Sequence, residues 1–72
     1  MKMVTITTEY IKLQDILKLA DAVATGGEAK IRVQEGEVLV NGAVCTQRGR
    51  KIRPDDTVDY HGLLLGVRYA DQ

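Results

Sequence analysis

The sequence lacks several features that larger classes of protein require. Tryptophan and phenylalanine are absent and only three tyrosines are present, so the core must be aliphatic. A single cysteine excludes an internal disulfide framework and fits a reducing compartment such as the cytoplasm. The longest strongly apolar stretch, Leu63–Leu65, is far too short to span a membrane, and no signal-peptide pattern is visible. At 72 residues the chain predicts one small domain, more suited to binding than to enclosing a substrate.

Residues typical of catalysis and metal binding are also scarce. The chain has one histidine, His61, and one cysteine, Cys45, which cannot form a metal site without several further ligands. No phosphate-binding loop, catalytic triad or paired-carboxylate pattern is evident. The sequence therefore predicts a non-enzymatic protein without cofactor or metal, and it leaves the roles of His61 and Cys45 open.

Charge is balanced over the whole chain but not along it. Ten basic residues match ten acidic ones, for a formal net charge of zero. Residues 30–53 carry a net charge of +4, whereas residues 1–29 carry −1 and residues 54–72 carry −3. Salt screens exposed charges beyond about 10 Å, so a local basic segment can bind phosphates even in a neutral chain. The alternative is a solvated face with neighbouring acids, and charge alone does not separate the two.

The first half of the chain predicts a strand and two helices. Residues 3–7 alternate apolar and polar side chains, as a strand does. Thr8 is a candidate N-cap for a first helix within about residues 9–24, which ends before Gly26-Gly27. Its apolar stripe comprises Leu13, Ile16, Leu17, Ala20 and Val23.

A capping box introduces the second helix. Thr25 is followed three residues later by Glu28, so the sequence predicts a helix over about residues 27–35 that ends at Gly36. Ala29 and Val33 lie one turn apart and give this helix its buried face.

The second half of the chain predicts short strands. Asn41-Gly42 lies between two apolar runs and indicates a type I′ hairpin. Further short strands are expected at Ile52, at residues 57–60 and at residues 63–69, with turns at residues 54–56 and at His61-Gly62. We therefore expect an α+β fold, in which two short helices pack on a small, mainly antiparallel sheet of short strands. The first and last strands are candidates to pair with each other.

The order of these elements resembles a known RNA-binding domain. Residues 12–58 are similar to the S-four domain, or αL motif, named after ribosomal small-subunit protein four. The resemblance rests on Leu13–Leu17, Gly36–Gly42 and the Pro54–Asp56 turn. Nearly the whole chain resembles the stand-alone bacterial YaaA/YbcJ-like proteins, through Leu17–Leu19, Gly26–Lys30, Val40–Gly42 and Arg48–Lys51. This resemblance implies a single RNA-binding domain over residues 1–72, with a core at 12–58 flanked by the two terminal strands.

The resemblance and the charge pattern together select candidate RNA-binding residues. These are cations that neutralise phosphates and two glycines whose amides begin the second helix: Lys30, Arg32, Arg48, Arg50, Lys51, Arg53, Gly26 and Gly27. Many family members have Ser-Arg where this chain has Gly26-Gly27, which transfers the expected contacts to Lys30 and to the basic connection of residues 47–51. Asp55 replaces the usual glycine of the following turn. The resemblance implies that the partner is structured RNA, in particular ribosomal RNA, bound by a cytoplasmic monomer.

Other interpretations of the same residues remain open. Lys30 can be a solvated helix residue, and the cations of residues 48–53 can protect a sheet edge. The Gly26-Gly27 pair is more commonly a helix break than a phosphate site. A different class of function is a protein-interaction adaptor with weak or vestigial RNA binding, which the neutral net charge favours.

Overall fold

Two helices and seven short strands make up the structure, a computed structural model that describes residues 1–70. The last two residues of the predicted domain lie outside the described residues. The elements in chain order are β1 (Lys2–Ile6), β2 (Ile11–Lys12), α1 (Leu13–Leu19), α2 (Gly26–Gln34), β3 (Val38–Val40), β4 (Ala43–Val44), β5 (Lys51–Ile52), β6 (Thr57–Tyr60) and β7 (Leu63–Tyr69). The predicted α+β class is confirmed.

Five strands form the main sheet, in the order β1-β7-β6-β3-β4. The first and last strands pair as predicted, in parallel, and the other neighbours are antiparallel. Both predicted tight turns are present. Asn41 and Gly42 have φ of 52° and 84°, and His61 and Gly62 have φ of 51° and 89°. Positive φ at two successive residues matches the right-handed twist of the hairpin strands.

The core lies between one face of this sheet and the two helices, and it is aliphatic as expected. Along β7, Leu65 and Val67 are buried, and Val4 and Ile6 of the paired β1 join them. The apolar stripe predicted for the first helix is buried in full, with Leu13, Ile16 and Leu17 on α1 and Ala20 and Val23 after its end. Ala29 and Val33 of α2 are buried as well. No described helix combines the length and the apolar character that crossing a membrane requires.

The first helix is shorter than predicted at both ends. Thr8 is not its N-cap, because residues 11 and 12 form a strand and α1 begins at Leu13. At the other end Asp21 adopts φ of 58°, and its N–H and that of Ala22 donate to the carbonyls of Lys18 and Leu17, both at 3.0 Å. These two bonds make a Schellman motif with aspartate in the position that usually holds glycine.

The second helix follows its predicted caps. Thr25 Oγ1 accepts the N–H of Glu28 at 3.1 Å, and the Glu28 carboxylate accepts the N–H of Ala24 at 2.9 Å. Gly36, at φ of 77°, closes the C-terminus with a second Schellman motif. The predicted capping box and the predicted end of the helix at Gly36 are therefore confirmed. The Glu28 carboxylate binds the N–H of Ala24, the residue before the N-cap, whereas in a standard capping box it binds the N–H of the N-cap residue itself.

Candidate nucleic-acid interface

A separate two-stranded ribbon carries Lys51, and Arg53 follows directly after it. Strands β2 and β5 pair antiparallel, with Ile11 opposite Ile52 and Lys12 opposite Lys51. Both isoleucines are buried, and both lysines are exposed. Because side chains alternate between the two faces of a strand, Tyr10 and Arg53 fall on the same outer face as the lysines. The ribbon is thus apolar on its inner face and presents three cations and one aromatic ring on its outer face.

The ring of Tyr10 contacts two of these cations. The Nζ atom of Lys51 lies 4.9 Å from the ring centroid, and the Cζ atom of Arg53 lies 5.7 Å from it. Both distances are within the range of cation–π attraction. Lys12 and Lys51 face each other directly, and like charges in that arrangement destabilise a strand pair. The outer face therefore concentrates positive charge at a local cost to the fold.

Residues 47–50, here called the basic turn, are fixed through their backbone. The carbonyl of Arg50 accepts the N–H of Leu13 at 2.9 Å, and that of Arg48 accepts the N–H of Gln14 at 3.0 Å. These bonds cap the start of α1, whose N-cap residue Lys12 makes no side-chain cap. The turn is thereby held rigidly beside the ribbon, while the Arg48 and Arg50 side chains stay exposed.

Beyond the ribbon, an acid and an amide fix the turn that follows Arg53. The Asp56 carboxylate accepts the backbone N–H of Arg53 and the Asn41 side-chain amide, both at 2.9 Å. Asn41 Oδ1 in turn accepts the N–H of Thr57 at 2.9 Å. The bonds from Asn41 and then from Arg53 lower the pKa of Asp56. Asp55 is exposed and its φ is not positive, so glycine is not required there.

The cations of this region form no ion pair among the described residues, although the charges of Arg50 and Arg53 contribute to the lowered pKa of Asp56. Within residues 1–70, none of Arg48, Arg50, Lys51 and Arg53 forms an ion pair with a carboxylate. Lys12 is likewise unpaired in that part of the chain. We refer to these five residues, Lys12, Arg48, Arg50, Lys51 and Arg53, as the cationic surface. Its charge is available to an external anion.

Arg32 lies in different surroundings. Its guanidinium pairs with Glu37 at 3.3 Å and with Glu28 at 3.6 Å, and Glu37 also contacts His61 Nε2 at 2.7 Å. The hydrogen bond and charge of Glu37 raise the pKa of Arg32, and the contact with His61 is the largest cause that lowers the pKa of Glu37. These four residues, the Arg32 cluster, form a neutralised group.

The Arg32 cluster and the turn that follows Arg53 lie at opposite ends of the β3–β6 strand pair. Val38, next to Glu37, is opposite Tyr60, next to His61. Val40, next to Asn41, is opposite Val58, at the end of β6 that follows the Arg53 turn. Glu37, which holds Arg32, is therefore separated from Asn41 at the Arg53 turn by the length of β3, roughly 7 to 10 Å for three residues.

The remaining predicted residues belong to α2. Lys30 is exposed and makes no ion pair within residues 1–70. Gly26 and Gly27 form the first turn of the helix, beside the capping carboxylate of Glu28. An acid in the first turn already complements the helix dipole, which leaves less attraction for a phosphate at these amides.

The structure thus brings four of the predicted residues together, namely Arg48, Arg50, Lys51 and Arg53. It adds Tyr10 and Lys12, which the sequence analysis did not select. The signal was present, because Tyr10-Ile11-Lys12 and Lys51-Ile52-Arg53 share one alternation of polar and apolar residues. No group of three or more potential metal-ligating side chains occurs among the residues described.

Comparison with known proteins identifies bacterial relatives of this chain. The probable ribosome maturation protein RlbA of Bacillus subtilis is 46% identical over 59 residues, covering 82% of this chain and 83% of that protein. The putative RNA-binding protein YbcJ of Escherichia coli is 42% identical over 58 residues, covering 81% of this chain and 83% of that protein.

A solved structure and a family model agree with these relatives. The solution structure of YbcJ from E. coli, described as having an αL motif involved in RNA binding, matches with a TM-score of 0.70 and 35% identity. That match covers 93% of this chain and 86% of the other. The sequence model of the S4 (S-four) domain matches residues 4–67. This chain therefore belongs to the S4 domain family.

Proposed function

We propose that this protein is a non-enzymatic RNA-binding protein that docks on structured RNA through the cationic surface. The observation that carries the proposal is the grouping of five exposed cations without carboxylate partners among residues 1–70, on a ribbon and a turn that are fixed by backbone bonds. Neutralised phosphates supply most of the affinity of such surfaces, since bound counterions are released.

We propose ribosomal RNA, during ribosome assembly, as the partner. The support is the family membership together with two relatives, one named as a probable ribosome maturation protein and one as a putative RNA-binding protein. Lys30 is included as an additional phosphate contact, while the contacts predicted for Arg32 and for Gly26-Gly27 stay predictions. The monomeric state and the cytoplasmic location also remain predictions from the sequence.

The test compares two double variants that remove the same charge. Arg48→Ala/Arg50→Ala removes two members of the cationic surface, and Lys18→Ala/Arg68→Ala removes two exposed cations elsewhere. Affinity for a structured ribosomal RNA fragment is measured across a salt series. Each lost phosphate contact lowers the slope of log affinity against log salt by about 0.7 to 0.9, which is about five- to eightfold in affinity at 0.1 M salt.

The first double variant should therefore lose about 25- to 60-fold in affinity, and its slope should flatten by about 1.4 to 1.8. The control should stay close to wild type. Equal losses in the two variants would indicate nonspecific charge attraction and would contradict the assigned surface.

One observation favours the adaptor alternative. The face of the sheet that points away from the helices exposes Met3 (41%), Leu64 (43%) and Val44 (60%). Met3 on β1 and Leu64 on β7 lie on neighbouring strands, whereas Val44 lies on β4 at the opposite edge of the sheet. Neighbouring apolar side chains on an exposed face are typical of a protein-interaction surface. An association with a purified partner that survives nuclease treatment, and that Leu64→Ser disrupts, would support the adaptor over the RNA-binding function.

A further inference from the structure

An open groove lies directly beside the cationic surface. Its volume is about 600 Å³, and it is lined by Thr7, Thr8, Glu9, Tyr10, Ile11, Lys12 and Asp15. Lys12 belongs to both features, and Tyr10, which lines the groove, contacts Lys51 and Arg53 of the cationic surface. Any anion bound by the cations is therefore adjacent to the groove.

The groove differs from the cationic surface in its chemistry. Glu9 and Asp15 bring two carboxylates, and Thr7 and Thr8 bring two hydroxyls. Carboxylates repel phosphate, but they accept hydrogen bonds from the N–H groups of nucleobases. The arrangement thus separates a place for backbone phosphate, on the cations, from a place for a base edge, in the groove.

The segment that forms the groove is held in position before any ligand binds. The Tyr69 hydroxyl donates to the Glu9 carbonyl at 2.9 Å, and Thr8 Oγ1 donates to the Tyr10 carbonyl at 2.7 Å. Tyr10 itself is partly exposed, and its ring is positioned by Lys51 and Arg53. An aromatic ring that is preorganised beside cations is the arrangement that stacks unpaired bases in single-strand-binding sites.

We propose that Tyr10 stacks against one unpaired base of the RNA, with its sugar-phosphate backbone on Lys12, Lys51 and Arg53. The ligand class is then RNA with a bulged, looped or terminal nucleotide beside a helix, rather than a continuous duplex. This inference rests on the proposed function, and it adds a recognition element that phosphate contacts alone do not provide.

The test uses two RNA hairpins with the same stem, one of which carries a single bulged nucleotide. Wild type, Tyr10→Phe and Tyr10→Leu are compared by fluorescence anisotropy. Wild type should bind the bulged hairpin about tenfold more tightly, which is the order expected for one stacked base. Tyr10→Phe keeps the ring and should keep this preference, whereas Tyr10→Leu should lose it, so that its affinities for the two hairpins become equal.

Two outcomes would overturn the inference: equal affinity of wild type for the two hairpins, or a preference that survives in Tyr10→Leu. The Arg48→Ala/Arg50→Ala variant distinguishes this failure from failure of the proposed function. If that variant loses affinity for both hairpins, the proposed function stands and only the stacking role is wrong. If it binds both as wild type does, the cationic surface itself is wrongly assigned.

A crosslink provides a measurement that does not depend on the folding of a variant. A 5-iodouridine at the bulge, irradiated in complex with wild-type protein, should attach to Tyr10, as identified by mass spectrometry of the digested complex. Attachment to Tyr60 or Tyr69 instead would place the base elsewhere and contradict the proposal.

Discussion

The cationic surface and the Arg32 cluster contain the same kind of residue in opposite electrostatic states. Arg32 has two carboxylates within 3.6 Å, and Glu37 also binds His61. Arg48, Arg50 and Arg53 pair with no carboxylate among residues 1–70. A positive charge in the sequence is therefore not equivalent to a positive charge that is available to a ligand.

The difference arises from what the nearby acids bind. In the acidic C-terminal segment, Asp56 accepts the N–H of Arg53, and Asp59 accepts the N–H of Gly62 at 2.9 Å. These carboxylates stabilise turns and leave the guanidinium groups unpaired. Glu37, by contrast, accepts side-chain donors at both of its oxygens. The same number of charges would give a different surface if the acids were bound differently.

The largest effect is expected from removing the apolar base of the cationic surface. Ile52→Ala should lower the free energy of unfolding by about 2 to 5 kcal/mol, because Ile52 is fully buried beneath the ribbon and a cavity would remain. Ile31→Ala is the matched control, since Ile31 is 54% exposed and should change stability by less than about 0.5 kcal/mol. Urea denaturation of both variants measures the difference. Similar losses in the two variants would show that the ribbon is not part of the cooperative core.

The second prediction compares one arginine from each region. Arg50→Ala should weaken RNA binding about five- to eightfold at 0.1 M salt, because one phosphate contact is lost. Arg32→Ala removes the same charge but an already neutralised one, so its affinity and salt slope should stay near those of wild type. Titrations at several salt concentrations test both. If Arg32→Ala lost more RNA affinity than Arg50→Ala, the RNA would have to displace Glu37 from Arg32. Arg32 would then be the more important RNA contact of the two.

Local patterns predicted most of the fold. Asn41-Gly42, the Thr25-to-Glu28 box and Gly36 each determine the backbone through neighbouring residues, so the sequence alone was sufficient there. The predicted start of α1 was wrong because its first N–H groups donate to the carbonyls of Arg48 and Arg50, which lie more than thirty residues away in the sequence. No local pattern reports such a cap.

The sequence predicted which segment of the candidate site is basic, but not which cations form ion pairs or which strands become neighbours. The net charge of residues 30–53 indicated a basic region, but it did not separate Arg32, which pairs with Glu28 and Glu37, from the unpaired arginines, and it did not include Lys12. Pairing depends on which strands become neighbours, and the β2–β5 ribbon joins residues about forty positions apart. Tyr10 gained its place beside Lys51 and Arg53 only through that pairing.

The smallest effect is a pH dependence in the neutralised region. The pKa of Glu37 is lowered, mainly by its hydrogen bond with His61, from an ordinary value near 4.5. A carboxyl with a lowered pKa in the folded state adds stability above its unfolded pKa and loses it as pH falls through the folded pKa. Between pH of about 6 and about 3, the melting temperature of wild type should therefore fall more than that of Glu37→Gln, since the variant has no such carboxyl to protonate. The effect is small because the partners are largely exposed.

Asp55→Asn is the control for that measurement, since it removes an exposed carboxylate for which neither a hydrogen bond nor an ion pair is found among the described residues. Its melting temperature should follow that of wild type at both pH values. If Glu37→Gln also follows wild type, Glu37 adds nothing to stability by binding Arg32 and His61. Arg32 would then be held only loosely, and an approaching phosphate could compete for it. The cationic surface and the Arg32 cluster would then differ only in their position in the fold, and Arg32 would be available as an RNA contact, as the sequence predicted.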